Sequence, residues 1–103
     1  MMLPLAKMFF AAMFLFNAVP HLVRGICGKQ HMTPLSPRSS ALVNVLWGWI
    51  NLGLGVWLYR CAAASVWSTA GCVAFVSGGL TISVFLALFW SNPAARLPWH
   101  KKG

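Results

Sequence analysis

Apolar residues gather into three long runs in this chain, and polar residues interrupt the runs mainly at their ends. The runs cover residues 3–23, 41–59 and 65–90. A helix rises about 1.5 Å per residue, so each run can cross most or all of the roughly 30 Å hydrocarbon core of a bilayer. The pattern predicts an all-α membrane protein with three transmembrane helices, in which helices 2 and 3 form a helical hairpin beside helix 1.

The segments between the runs carry turn-forming residues. Residues 24–40 contain two glycines, two prolines and three serines, which predicts a loop in which Ser39 or Ser40 caps the second helix. Arg60 is expected to end the second helix, and residues 61–64 are expected to form a short turn. Asn92 and Pro93 end the third run before a tail over residues 91–103. The chain is predicted to be a single transmembrane domain.

A cleaved signal peptide is the alternative interpretation of the first run. Its bases mostly follow the apolar stretch rather than lead it, since Arg24 and Lys29 come after its end. The sequence around Phe16, Asn17 and Ala18 is also a poor cleavage site. The pattern therefore favours a retained first helix.

The charges strengthen the membrane interpretation. Hydrophobic residues make up 59% of the chain and charged residues only 8%, whereas a soluble domain has about 25% charged residues. The sequence contains eight Lys or Arg and no Asp or Glu, and these bases lie where apolar runs end. This placement predicts contact with anionic lipid headgroups and not with nucleic acid. Without side-chain carboxylates, a calcium cage, a carboxylate acid/base pair and an acidic proton relay are all excluded.

The distribution of bases predicts the orientation. Two bases, Lys7 and Arg60, fall on one side, and six fall on the other: Arg24, Lys29, Arg38, Arg96, Lys101 and Lys102. The positive-inside rule then places the N-terminus outside and the C-terminus in the cytoplasm, in what we expect to be a bacterial inner membrane. Aromatic residues are expected to form a belt at each interface: Trp57, Tyr59 and Trp67 at one, and Trp90 and Trp99 at the other.

Small and amide side chains recur at helical spacing on the second and third runs. The stripe on the second run contains Asn44, Gly48, Asn51 and Gly55, and the stripe on the third contains Ala70, Ala74, Ser77, Gly78 and Thr81. Amides facing lipid would lack hydrogen-bond partners, and small residues let helix backbones approach closely. We expect these two stripes to pack against each other.

A polar face on the first helix is the candidate site. Asn17, His21 and Arg24 lie at positions i, i+4 and i+7, beside Pro20. Together with Asn44 they would form a polar region near the cytoplasmic interface that binds a lipid headgroup, a small anion or a quinone-like ligand. The alternative, which the sequence favours, is that these side chains only form hydrogen bonds between helices.

No metal or cofactor is expected. The three cysteines, Cys27, Cys61 and Cys72, match no metal or redox spacing. Ligation of haem by two histidines would need two of them inside the membrane, and only His21 lies in an apolar run. His31 falls in the loop.

Two passages resemble a group of small bacterial membrane proteins of unassigned function. The first runs from Phe16 through Pro20-His21, Arg24-Gly25 and Gly28-Lys29 to Thr33-Pro34, and the second is Asn44-Val45-Leu46-Trp47-Gly48 with Asn51-Leu52 and Gly55. The resemblance covers about the first half of the chain. It implies a bacterial inner-membrane protein, brings no activity with it, and implies importance for His21, Gly25, Gly28 and Lys29.

Three functions remain open at this point. The leading one is a non-enzymatic accessory or scaffold subunit that packs onto itself or onto a larger membrane complex. The second is an oligomeric transporter or channel component for a small or anionic solute, built around Asn17, His21 and Asn44. The third and weakest is an enzyme acting on a lipid or quinone with His21 as base, because no acidic residue orients that histidine.

Overall fold

Three apolar helices account for most of the computed structural model, which describes residues 2–66, 69–93 and 97–98. Over these residues the elements are α1 (Met2–Ile26), β1 (His31–Thr33), β2 (Ser36–Ser39), α2 (Ala41–Val66) and α3 (Thr69–Trp90). Each helix contains a segment long and apolar enough to cross a membrane: Leu3–Ile26, Ala41–Ala62 and Thr69–Trp90. The chain is therefore an α-helical multi-pass membrane protein, and the predicted class of three transmembrane helices is confirmed; the predicted packing of helices 2 and 3 as a hairpin is not seen.

The distribution of side chains is that of a protein surrounded by lipid. Large apolar residues point outward, and Trp49, Leu80 and Leu88 expose 61%, 63% and 69% of their surface. The buried positions are instead mostly small or polar: Ala11, Ala12, Ala18, Ala62, Gly71, Gly78, Gly79, Asn44 and Asn51. Lipid tails remove any hydrophobic drive for helices to associate, so close packing of small residues and hydrogen bonds hold the helices together.

Helix α1 lies between the other two helices. Ala11 and Leu15 contact α2 at Gly55, whereas Leu22 contacts it at Gly48, so α1 and α2 are antiparallel. Phe9 contacts α3 at Gly78, and Pro20 lies near the C-terminal end of α3, so α1 and α3 are parallel.

The stripe of α2 faces α1. In α3, Gly78 faces α1, whereas Ala70, Ser77 and Thr81 of the predicted stripe are exposed. The prediction that the two stripes pack against each other is wrong, since few contacts join α2 to α3. The spacing of small residues shows that a helix has a close-packing face, but it does not show which neighbour occupies that face.

Helix α1 is one turn longer than the sequence predicts. It ends at Ile26, not Val23, because Gly25 stays helical against the carbonyl oxygen of Ala41 in α2. The helix is closed instead at Gly28, which adopts a left-handed φ of 75°. The Gly28 amide donates to Gly25 O and the Lys29 amide to Arg24 O, which is the Schellman pattern of helix termination.

Helix α2 extends past its predicted end. Arg60 lies within the helix, exposed, and residues 61–64, predicted as a turn, are helical up to Val66. A long Arg side chain can reach the headgroup region from inside a helix, so a single charge does not end one. Helix α3 begins at Thr69, not residue 65. The residues Trp67, Arg96, Trp99, Lys101 and Lys102, named in the predictions above, lie outside the described part of the chain.

The loop between α1 and α2 folds into a β-hairpin, which the sequence does not predict. Strands β1 and β2 are antiparallel, and Pro34 and Leu35 form the turn between them. The hydroxyls of Thr33 and Ser39 are 2.6 Å apart across the hairpin, and the Leu35 amide donates to the Thr33 hydroxyl. The hairpin leads directly into α2, where the Val43 amide donates to the Ser40 hydroxyl and confirms Ser40 as the N-cap.

Candidate functional site

Polar side chains connect α1 to α2 in two layers. In the layer nearer the middle of the helices, the Asn17 amide donates to Asn51 Oδ1 over 3.1 Å. Asn51 Nδ2 in turn donates to the Trp47 carbonyl one turn back. In the layer nearer the hairpin, His21 Nδ1 lies 2.8 Å from Asn44 Oδ1. Both layers are made possible by the antiparallel packing of α1 and α2.

Asn44 is the centre of the second layer. Its side chain is fully buried, and its Nδ2 lies 3.0 Å from the carbonyl oxygens of His31, Ser39 and Ser40. One amide therefore holds the start of β1, the end of β2 and the first turn of α2. Because all three neighbours of Nδ2 are acceptors, the orientation of the amide is fixed and Oδ1 must face His21.

This orientation sets the tautomer of His21. Asn44 Oδ1 can only accept, so His21 donates from Nδ1–H. In the neutral imidazole the Nε2 atom is then the acceptor. The His21 side chain is 6% exposed and faces the hairpin, where its ring lies 5.3 Å from the ring of His31 between centroids.

His31 occupies the space between the hairpin and α3. Its ring centroid is 4.4 Å from that of Trp90, with 38° between the ring planes. Its Nε2 atom is buried and has no hydrogen-bond partner within the described residues. Burial, followed by repulsion from His21 and Arg24, lowers the pKa of His31 from its usual value near 6.5 to about 4. The ring is therefore neutral at pH 7.

A cavity of about 170 Å³ opens beside the two histidines. Every element except β2 contributes to its walls, which are mostly apolar. The lining residues are Asn17, Pro20, His21, His31, Met32, Thr33, Pro34, Trp47, Phe85, Leu86, Phe89, Trp90 and Leu97. Among these lining residues, Phe85 also exposes 56% of its surface on the outside of α3.

The structure separates the four predicted ligand-binding residues. Asn17 and His21 line the cavity, whereas Asn44 lies behind His21 with its amide committed to the hairpin. Arg24 is exposed and donates to the Gln30 carbonyl from Nη2 at 2.8 Å. It lines a shallower, more polar pocket with Gln30, His31 and Arg38 on the outside of the loop.

The predicted helix-packing residues lie at different depths. Gly48, Gly55 and Gly78 contact α1 so closely that a Cβ atom would collide with it. Asn51 is buried and bonded to Asn17, and Ala74 packs against a small cluster around Met8 and Ala62. Ala70, at the start of α3, is exposed.

His31, Trp47 and Trp90 are functional candidates that the sequence pattern does not reveal. His31 lies eight residues after the end of the nearest predicted helix, and Trp90 has the position of a belt aromatic. His31 lies in the loop, as predicted, but the β-hairpin turns it back onto His21, which the sequence does not predict. The Thr33-Pro34 step is a local signal of the turn that does this.

Comparisons with models of protein families, with curated proteins and with solved structures find no match to this chain. The resemblance to small bacterial membrane proteins therefore stays a prediction from the sequence. The geometry of the site carries the functional argument.

Proposed function

We propose that the chain is a non-enzymatic accessory or scaffold subunit that assembles with copies of itself or with a larger membrane complex. The observation that supports this is the one-sided attachment of α3. Its Gly78 and Gly79 face α1, whereas its opposite side presents large apolar residues, with Val76, Leu80 and Leu88 each more than 60% exposed. A helix attached along one glycine face leaves a broad surface for a partner helix.

Photo-crosslinking in native membranes tests this proposal. A photoreactive residue at Leu80 samples the outer face of α3, and the same residue at Leu46, which is 56% exposed on α2, is the matched control. We expect a discrete protein adduct from Leu80 and only lipid adducts from Leu46. Lipid adducts alone at both positions, together with a monomer in native mass spectrometry, would contradict the proposal.

A transporter or channel component for a small or anionic solute is the second candidate. It is favoured by the polar residues Asn17 and His21, which line a cavity between helices. This function requires an oligomer, because the two layers of side-chain bonds between α1 and α2 occupy most of these polar groups. The test is flux in proteoliposomes: His21→Ala should abolish it while the protein stays folded, and unchanged flux would exclude the site.

The proposal includes an inner-membrane location with the N-terminus outside and the hairpin in the cytoplasm. Native cysteines provide a direct test, since Cys27 follows α1, Cys61 lies near the opposite end of the bundle, and both are exposed. In intact cells, an impermeant maleimide should label a variant that keeps only Cys61 and spare one that keeps only Cys27. The reverse pattern would mean the opposite orientation.

A further inference from the structure

His31 lines the cavity and carries a buried polar atom, Nε2. Its Nε2 has no partner within the described residues, and buried polar atoms in proteins are nearly always hydrogen-bonded. The ring cannot easily turn away, because it lies between His21 and Trp90 and its own backbone carbonyl accepts from Asn44. The His31 ring is thus held in the wall of the cavity, with one nitrogen that lacks a hydrogen-bond partner within the described residues.

The size of that space suits one substituted ring. Apolar cavities of about 150 Å³ bind benzene, and this cavity measures about 170 Å³. Trp47, Phe89 and Trp90 supply flat aromatic walls of the kind against which planar rings stack. A porphyrin is several times too large for the same volume.

The charges around the cavity select against cations. No side-chain carboxylate exists anywhere in the sequence, and Arg24 is close enough to His31 to lower its pKa. A metal ion would find two neutral imidazoles next to a fixed positive charge. An uncharged ligand with an electron-rich oxygen faces no such repulsion.

We propose that this cavity binds an uncharged planar ring bearing a carbonyl or hydroxyl oxygen, the chemistry of a quinone or quinol headgroup, with the oxygen on His31 Nε2. The neutral imidazole suits both forms of such a ligand. One tautomer donates N–H to a quinone carbonyl, and the other accepts from a quinol hydroxyl. Phe85 is part of the cavity wall and is exposed, so we expect the ring to enter beside it from the membrane, with any apolar tail left in lipid.

The binding test uses the full chain, labelled with ¹⁵N-histidine, in phosphatidylcholine nanodiscs. Decylubiquinone is the probe, and decanol, which has a tail but no ring, is the comparison compound. We expect decylubiquinone to shift the His31 Nε2 signal saturably and decanol to leave it unchanged. An unmoved His31 signal, or equal saturation by decanol, would overturn the proposal.

Three variants, titrated by calorimetry against empty discs, locate the site. His31→Leu removes Nε2 and keeps the backbone carbonyl bonded to Asn44, and we expect binding to weaken at least tenfold. Leu86→Trp fills the cavity and should have a similar effect, whereas Leu88→Trp, on the exposed face of the same helix, should bind like the unchanged chain. Unchanged affinity in His31→Leu, or equal losses in the two tryptophan variants, would contradict the assignment.

This inference is independent of the accessory role proposed above. The titrations measure one isolated chain, whereas the crosslinking experiment measures its neighbours. A failure of either experiment leaves the other proposal to be judged on its own result.

Discussion

The two interfaces of α1 are built in different ways. Against α2, α1 places Asn17 on Asn51 and His21 on Asn44, so directional bonds form at two levels. Against α3, the closest approaches are Gly78 on the Phe9 backbone and Gly79 on the Phe16 ring. The first interface is fixed by hydrogen bonds and the second mainly by shape.

This difference separates two tasks. A hydrogen bond between buried amides permits one register, because a shift of one residue would leave several polar atoms unpaired in an apolar surrounding. A glycine contact sets the distance between two helices and tolerates small sliding. The cavity lies where these two kinds of interface meet, with His21 on the hydrogen-bonded side and Phe85, Leu86 and Phe89 on the side of α3. One wall of the cavity is therefore held by hydrogen bonds, and the other mainly by close packing.

Replacing Asn44 with Leu should have the largest effect on stability. The change removes the donor to His31 O and Ser39 O and the acceptor for His21, while the volume is nearly preserved. At about 1 kcal/mol for each of three lost hydrogen bonds, we expect a loss of about 3 kcal/mol. The measurement is the free energy of unfolding in mixed micelles, with the His21 Nδ1–H signal followed by NMR. A loss below about 1 kcal/mol would show that Asn44 does not organise the hairpin.

Replacing Gly78 with Ala should have the next largest effect, on the other interface. The new Cβ would collide with the Phe9 carbonyl, a backbone atom that cannot move aside, so we expect a loss of about 2 kcal/mol. Gly53→Ala is the matched control, since nothing lies within 4 Å of its Cβ position. The His21 Nδ1–H signal should stay unchanged in Gly78→Ala, and its disappearance would mean that the two interfaces are not separable.

Replacing Asn17 with Leu should have a smaller effect at the α1–α2 interface. It removes one bond to Asn51, and side-chain hydrogen bonds between membrane helices contribute about 0.6 kcal/mol on average. We expect a loss of about 1 kcal/mol in the same unfolding experiment. A loss as large as that of Asn44→Leu would place the main polar contact in the middle layer and not at the hairpin.

Lowering the pH should have the smallest effect, through His31, because its ring is only partly buried and solvent screens the effect of its protonation. Its folded-state pKa of about 4 lies below the usual 6.5, so the unfolded chain takes up the proton first as the pH falls. Stability contributed by the neutral ring is present above pH 6.5 and is lost progressively between pH 6.5 and 4. Thermal unfolding across that range should show this decrease, and His31→Leu should reduce it. An identical pH profile in His31→Leu would assign the dependence to other groups.

Much of the membrane architecture follows from the sequence. The three apolar runs locate α1, α2 and α3 to within a few residues at most ends, because burial in lipid demands long, uncharged, internally hydrogen-bonded segments. The largest differences are at the C-terminal end of α2, which continues past Arg60 to Val66, and at the start of α3. The free-energy cost of one arginine is too small to end a helix when the residues on both sides of it favour the helical conformation.

The candidate site was only half visible in the sequence. Helical spacing placed Asn17, His21 and Arg24 on one face, and the need to pair buried amides predicted hydrogen bonds between helices. The spacing did not indicate which amide pairs with which, nor that Arg24 turns outward to Gln30. Those outcomes depend on the depth and direction of α2, which local periodicity does not contain.

By itself, the sequence determined that this chain lies in a membrane, where its helices run, and that the amides of α2 face protein. These properties depend on whether each side chain is more stable in water, in lipid or against protein. That preference can be inferred from composition and spacing. Only the tertiary structure decided that α1 lies between α2 and α3, and that a β-hairpin returns His31 to His21 beside a cavity. Contacts between distant residues depend on the relative positions of whole elements. Here Asn44 ties the hairpin to α2, and the glycine contacts of α3 set its position against α1.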